Sequence, residues 1–200
     1  MNGADIRAAL TLMLQGEMDT PQIVDTLIQI EEDGVRAEQL AAGAAVMREH
    51  MTRVTVPENA IDIVGTGGTG LKLLSISTAT AFVVAGAGVP VAKHGNRGAS
   101  SPTGTADTQS ELGINIAMSP NRAAAAVSEV GMGFLFAPTY HPAMRFVGPA
   151  RKQIGKRTIF NRLGPLCNPA EVKYMLLGSC LLYTSPSPRD QRGSRMPSSA

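Results

Sequence analysis

The sequence predicts an α/β protein, with a small N-terminal helical domain followed by an α/β domain built on a mainly parallel sheet. Three observations carry this. Apolar residues recur at helical spacing over residues 4–51. From Pro57 onward, short β-branched runs alternate with helical stretches, the pattern of a parallel sheet. The 200 residues are 44% hydrophobic, with Gly 21, Pro 13 and 4% aromatic content, which suits a loop-rich globular chain rather than a disordered one.

The elements follow in order. Ile6, Leu10, Met13 and Leu14 mark one helix, and Ile23, Val24, Leu27 and Ile28 a second. Thr20 reads as the N-cap of that second helix, with Pro21 in its first turn. Gly34 ends it, and 37–51 is a third helix. A linker spans 52–59. A strand at 60–64 leads into Gly65-Thr-Gly-Gly-Thr-Gly70. Then come a helix (77–87), a strand (89–93), a polar loop (94–104) and a helix (104–112). A short strand (114–116), a helix (120–130), a strand (133–137) and a strand-like run (172–178) complete the pattern. The predicted domains are 1–56 and 57–179, with part of 140–165 packed on the helical domain.

Composition excludes several classes. Two cysteines cannot build a disulfide framework, so a reducing compartment is expected. Met1 to Asp5 shows no basic region followed by an apolar run, so no signal peptide is expected. The longest apolar stretch, Ala79 to Ala92, is too short to span a bilayer and contains Gly86, Gly88 and Pro90. A cytoplasmic protein without a membrane partner is the expectation.

The net charge of +2 hides an uneven distribution. Residues 1–62 hold eleven acids and four bases. Residues 63–106 hold no acid, and Lys72, Lys93 and Arg97 as bases. Residues 130–179 hold seven bases against Glu171 alone. Such carboxylate-poor segments attract anions, either nucleic acid or a small phosphorylated ligand.

The glycine run after the first strand matches a dinucleotide fingerprint, but no acid follows at ribose distance: after Asp62 the next carboxylate is Asp107. A P-loop needs Lys-Ser/Thr after the last glycine, and Leu71-Lys72-Leu73 stands there. What remains is an anion cradle of backbone N–H groups, with Ser75, Ser77 and Thr78 opening the next helix. Lys93-His-Gly-Asn-Arg97 sits at the end of a second strand, where α/β sheets place their ligand loops. Ser100-Ser-Pro-Thr-Gly-Thr105 then leads a helix. No spacing suggests zinc, and His94 has no local carboxylate to orient it as in a catalytic triad.

Together these segments resemble the anthranilate phosphoribosyltransferase family. The resemblance rests on Asp62-Ile-Val-Gly-Thr-Gly-Gly68, Ser77-Thr-Ala79, Val83 to Arg97, and Ser100-Ser101. It continues through Gly133-Phe-Leu-Phe-Ala-Pro138, His141-Pro-Ala-Met144, Arg157-Thr-Ile-Phe-Asn161, Leu163-Gly-Pro-Leu166 and Asn168-Pro169. It covers roughly residues 5–179. It implies the two-domain fold of class III nucleoside phosphorylases and phosphoribosyltransferases, and a homodimer. The implied reaction moves the phosphoribosyl group of phosphoribosyl pyrophosphate (PRPP) to the amine of anthranilate, the second step of tryptophan synthesis.

The resemblance also implies roles. PRPP would be held by Gly65, Gly68, Thr69, Leu73, Ser75, Ile76, Ser77, Thr78, Lys93, Arg97, Gly98, Ala99, Ser100, Ser101 and Thr105. Anthranilate would meet Gly65, His94, Asn96 and Arg151, the last suited to bidentate pairing with a carboxylate. Ser77 would contact Mg²⁺ on the pyrophosphate. No residue is implied as a covalent or acid–base catalyst. Thr69 stands where the family usually has Asp, Leu73 at a usual Thr, Ser75 at a usual Asn and Thr105 at a usual Ser. The sequence is expected to be an N-terminal fragment: the family's Asp-Glu pair for Mg²⁺ would lie further along, so the 200-residue chain itself is expected to be inactive, and with the later strands of the sheet missing too, its exposed edges are expected to make it aggregate. Residues 180–200 turn Ser/Pro/Arg-rich and resemble translated sequencing-library adapter, so a non-native tail is expected there. The competing reading is a non-catalytic paralogue of the same fold that binds nucleic acid through its basic surface. The paired acceptor residues His94 and Asn96, with Arg151, favour the enzyme.

Overall fold

The computed structural model describes residues 1–65, 75–98 and 103–178. Three helices of equal length open the chain. Helix α1 (Gly3–Gln15) starts at Asn2, whose side chain accepts from the Asp5 N–H at 3.0 Å while Asp5 accepts from the Asn2 N–H at 2.8 Å. Helix α2 (Thr20–Glu32) is capped by Asp19, not by Thr20. Asp19 and Gln22 exchange two bonds of 2.9 Å, which puts Thr20 at the first helical position with Pro21 behind it. A carboxylate, which carries charge toward the positive helix end, takes the cap over the neighbouring hydroxyl. Helix α3 (Ala37–Glu49) packs along α1 through Gly43; a Cβ there would lie 3.1 Å from Leu10 Cδ1.

The sheet has four parallel strands in the order β3-β2-β1-β4. They are β1 (Ile61–Gly65), β2 (Val91–Gly95), β3 (Met132–Phe136) and β4 (Tyr174–Gly178). Ile61 pairs with Val91 on one side and with Tyr174 on the other, and Val91 pairs with Met132. The chain thus steps outward from β1 to β3, then returns to lie on the far side of β1. Helix α4 (Ile76–Gly86) crosses from β1 to β2. Between β2 and β3 lie α5 (Thr105–Glu111) and α6 (Pro120–Ala125), the latter continued by one π turn to Val130.

The strand expected at 114–116 is absent. The Asn115 side chain accepts the Ala117 N–H at 3.0 Å, and Gly113 adopts φ +79° just before it. That local turn competes with a strand ladder, so Ile116 reaches the core with Ala106 and Phe134 from an irregular backbone.

After β3 the chain folds back through α7 (Ala137–Tyr140), α8 (Gly148–Ile154) and α9 (Ile159–Leu163). Val147, Ala150, Ile159, Phe160, Leu163 and Cys167 join one core with the buried faces of α1–α3. A separate core sits between sheet and α6, around Ala92, Val127, Leu135 and Tyr140. The connection at 52–54 is tied by the Thr52 N–H to the Tyr140 carbonyl (2.8 Å) and the Val54 N–H to the Pro169 carbonyl (3.1 Å). The returning segment therefore faces the carboxyl ends of the strands, leaving a cleft between them. Among the described residues, no helix is long and apolar enough to cross a membrane.

Candidate functional site

The cleft encloses about 530 Å³. Its floor is the carboxyl ends of β1, β2 and β3, and its roof is the segment from Pro138 to Cys167. Lys93, Arg97, Arg145, Arg151 and Arg157 line it, and among the described residues no Asp or Glu does. A concave, partly apolar pocket with one sign of charge is suited to binding an anionic small molecule.

The floor is built from β1 and β2. Lys93 is 1% exposed, with its ammonium donating to the Ile63 carbonyl. Burial lowers its pKa to about 8, an effect that the nearby Asp62 carboxylate partly offsets. Asp62, also buried, accepts the His94 backbone N–H at 3.2 Å. Burial raises its own carboxyl, with Asn168, Lys93 and the backbone acting the other way. Asn168 in turn donates to the Ala92 carbonyl at 2.8 Å, so the end of β2 is held from β1 and from the chain before β4.

His94 projects into the cleft beside His141, ring centroids 5.1 Å apart. Burial first, then repulsion from His141, pushes His94 down to about 3. Burial also lowers His141, whose Nε2 faces the Cys167 carbonyl at 3.0 Å. Both imidazoles are therefore neutral at physiological pH. His94 Nε2 and His141 Nδ1 are buried without a hydrogen-bond partner.

From the roof, Arg151 on α8 lies with its guanidinium carbon 5.8 Å from the Phe160 ring centroid, and its Nη2 is 3.4 Å from Asn161 Oδ1. Burial lowers its pKa. Asn161 also accepts the Thr158 N–H at 3.0 Å, which starts α9 and fixes the amide facing Arg151. Cys167 lines the cleft as a thiol pushed up to about 12 by burial, so it is not a nucleophile at neutral pH.

Of the residues singled out from the sequence, the cleft gathers Gly65, Ser77, Lys93, His94, Asn96, Arg97, Gly98, Thr105 and Arg151. Ser75, Ile76 and Thr78 open α4 but are not in the lining: Ser75 and Thr78 hydroxyls pair at 2.8 Å, Thr78 is buried and Ile76 points outward. Gly68, Thr69, Leu73, Ala99, Ser100 and Ser101 lie outside the described residues, as does the tail at 180–200. Sequence reasoning assigned no role to His141, Arg145, Arg157, Phe160 or Asn161, all in the lining. The signal that could have found them was a third strand end: His141 follows β3 as the glycine loop follows β1.

The donor chemistry bears on a divalent cation. Mg²⁺ takes oxygen ligands, carboxylates above all. The described lining offers the Ser77 and Thr105 hydroxyls and no carboxylate, so these residues alone do not fit a protein-held Mg²⁺. What the cleft can do is neutralise anions and orient a ligand with neutral imidazoles.

Comparison with known proteins agrees with this geometry. An anthranilate phosphoribosyltransferase of Parvibaculum lavamentivorans is 52% identical over 178 residues, covering 89% of this chain and 52% of that protein. One from Afipia carboxidovorans is 48% identical over 171 residues, covering 86% and 51%. The crystal structure of the Thermus thermophilus anthranilate phosphoribosyltransferase superposes with a TM-score of 0.83 at 42% identity, covering 90% of this chain and 55% of that one. The Saccharomyces cerevisiae enzyme in complex with PRPP and Mg superposes with a TM-score of 0.82 at 28% identity, covering 90% and 54%. The chain spans about half the length of the curated relatives it matches. The resemblance drawn from the motifs is borne out by these relatives. The profile described as the glycosyl transferase family, a/b domain, matches residues 57–182, most of the chain and every strand of its sheet, and this chain belongs to that family.

Proposed function

We propose that the chain carries the substrate cleft of an anthranilate phosphoribosyltransferase, which moves the phosphoribosyl group of PRPP to the amine of anthranilate and releases pyrophosphate. One observation carries the reading: the cleft meets its ligands with five cations and no carboxylate among the described residues. Donor and acceptor are both anions, and the leaving group gains charge as the bond to the ribose breaks. Lys93 and Arg97, with the backbone of Gly65, take the phosphorylated donor. His94, Asn96 and Arg151 take the acceptor, with the Arg151 fork on its carboxylate.

The aromatic amine is already a nucleophile, so no general base has to activate it. The neutral His94 ring suits this, since it can hydrogen-bond the acceptor without adding charge beside the oxocarbenium-like ribose. The cleft then acts through positioning and fixed electrostatics. Mg²⁺ would arrive as a counter-ion on the diphosphate rather than be held by these residues, with the Ser77 hydroxyl as a contact. A helical domain at 1–56, a homodimer and a cytoplasmic location belong to the same reading. The core that α1–α3 share with residues 147–167, separate from the sheet core, supports a helical domain to which the returning segment also contributes.

Calorimetric titration of the 200-residue chain tests the reading. PRPP and anthranilate are each expected to bind, with Arg151→Ala weakening anthranilate about tenfold or more and PRPP little. A chain that binds neither ligand refutes it. Binding of DNA with steep salt dependence and no PRPP binding would favour a nucleic-acid-binding paralogue.

A further inference from the structure

Asp107 is an acid beside an anion site, yet it does not line the cleft. Its carboxylate is taken up by three donors. Oδ1 accepts from Arg97 Nη1 at 2.7 Å, and Oδ2 accepts from the Gly98 N–H at 3.0 Å and the Gly104 N–H at 2.8 Å. Arg97, Gly98 and Gly104 all line the cleft. Capping of α5 by its third residue explains only the Gly104 bond. The other two reach back to the segment leaving β2.

The chain passes itself closely at this point. A Cβ on Gly104 would sit 2.2 Å from Gly98 N and 2.4 Å from the Arg97 carbonyl carbon, so only glycine lets the two strands of the neck cross. The Ala106 N–H adds a bond to the Asn96 carbonyl at 3.1 Å. Arg97 also lies with its guanidinium carbon 5.9 Å from the Phe136 ring centroid, at the end of β3. One carboxylate thus gathers the end of β2 and the start of α5.

We propose that Asp107 is a positioning residue for donor binding: it fastens Arg97, Gly98 and Gly104 into a fixed neck, so that the Arg97 cation, with its remaining guanidinium N–H groups, is set at the cleft before the phosphorylated donor arrives. This rests on the transferase reading above. Two features agree with it. The Gly98 and Gly104 amides and Arg97, in that order, lower Asp107 to about 2, so it stays ionised wherever the donor is. Its charge is matched by Arg97 and two amides, so it holds the neck with little repulsion of the anion.

The test uses the ¹⁵N-labelled 200-residue chain, Asp107→Asn and Asp107→Glu. Asp107→Asn is expected to speed solvent exchange of the Gly98 and Gly104 amides and to raise the PRPP dissociation constant about tenfold or more, leaving anthranilate affinity within about twofold. Asp107→Glu, which keeps the charge, is expected to recover part of the PRPP affinity. Unchanged glycine exchange, unchanged PRPP affinity, or equal loss for both ligands overturns the proposal, since a merely structural role would weaken both. If Asp107→Asn loses its dispersed spectrum, Asp107→Glu carries the test by the same criteria. A wild-type chain that binds neither PRPP nor inorganic pyrophosphate overturns the transferase reading itself, and this role with it. A wild type that binds while both variants bind equally well overturns only the role of Asp107.

Discussion

His94 and His141 face each other inside the cleft with ring centroids 5.1 Å apart and planes tilted by 51°. One comes from the end of β2 and the other from the turn after α7, so the pair joins floor to roof. Two protonated imidazoles at this separation, both buried, would repel. His94 is held at about 3 by burial and then by its partner.

The pair predicts a silent titration. NMR of the His94 ring is expected to show no protonation between about pH 5 and 8, where a free histidine titrates. His141→Ala removes the repulsive part, so the His94 pKa should rise while staying below the usual value. His94→Ala is expected to weaken anthranilate about tenfold and PRPP by less than about twofold, the loss of one buried hydrogen bond. A His94 midpoint near the ordinary histidine value would contradict a neutral, buried pair.

Lys93 predicts a pH dependence of opposite reach. It is an ammonium below about 8 and increasingly neutral above. An anion bound above it favours the charged form, so donor binding takes up a proton as pH rises past that value. The PRPP dissociation constant should therefore be flat from about pH 7 to 8, where the phosphates are already ionised, and increase above about 8. Calorimetry across that range checks it. Lys93→Met should bind PRPP weakly and lose the slope; a variant that keeps the slope would assign it to another group.

Much of this was legible in the sequence, for local reasons. The helices and strands carry their own apolar periodicity, and the loops after β1 and β2 carry glycines and cations within a few residues. The failures are of two kinds. At Asp19-Thr20 and at Ile114–Ile116, side chains decide between local alternatives: a carboxylate outcompetes the next hydroxyl for the cap, and the Asn115 side chain diverts a β-branched run into a turn. At His141, Asn161 and Asp107 the signal is not local. Their partners are His94, Arg151 and Gly98, brought together by the return of the chain over the sheet, the turn from α8 to α9, and the crossing at Gly104.

Gly133 predicts a stability effect. In the middle of β3, it lies under α6 and the π turn that follows. A Cβ there would meet the Ala123 carbonyl oxygen and Val127 Cγ2, each at 2.7 Å. The first is backbone and cannot swing away, and both Ala123 and Val127 are fully buried. Gly133→Ala should cost about 1–3 kcal/mol, the range for overpacking a core. Urea unfolding measures it; a variant as stable as the wild type would mean that α6 shifts freely over the sheet.

Strand β4 predicts self-association. It pairs with β1 along one edge, and it ends the sheet order, so its other edge has no strand among the described residues. Tyr174, Met175, Leu176 and Leu177 are 40–57% exposed, and successive residues point to opposite faces, so both faces are open as well as the edge. An apolar edge strand with no charge on it is a template for pairing with another copy. Sedimentation velocity of the 200-residue chain is expected to show association that grows with concentration. Leu176→Lys places a charge on the strand without touching the cleft, and it should suppress association while leaving PRPP affinity within about twofold. A wild-type chain that stays monomeric at every concentration, or a Leu176→Lys chain that associates as strongly, would show that β4 is not the surface through which copies meet.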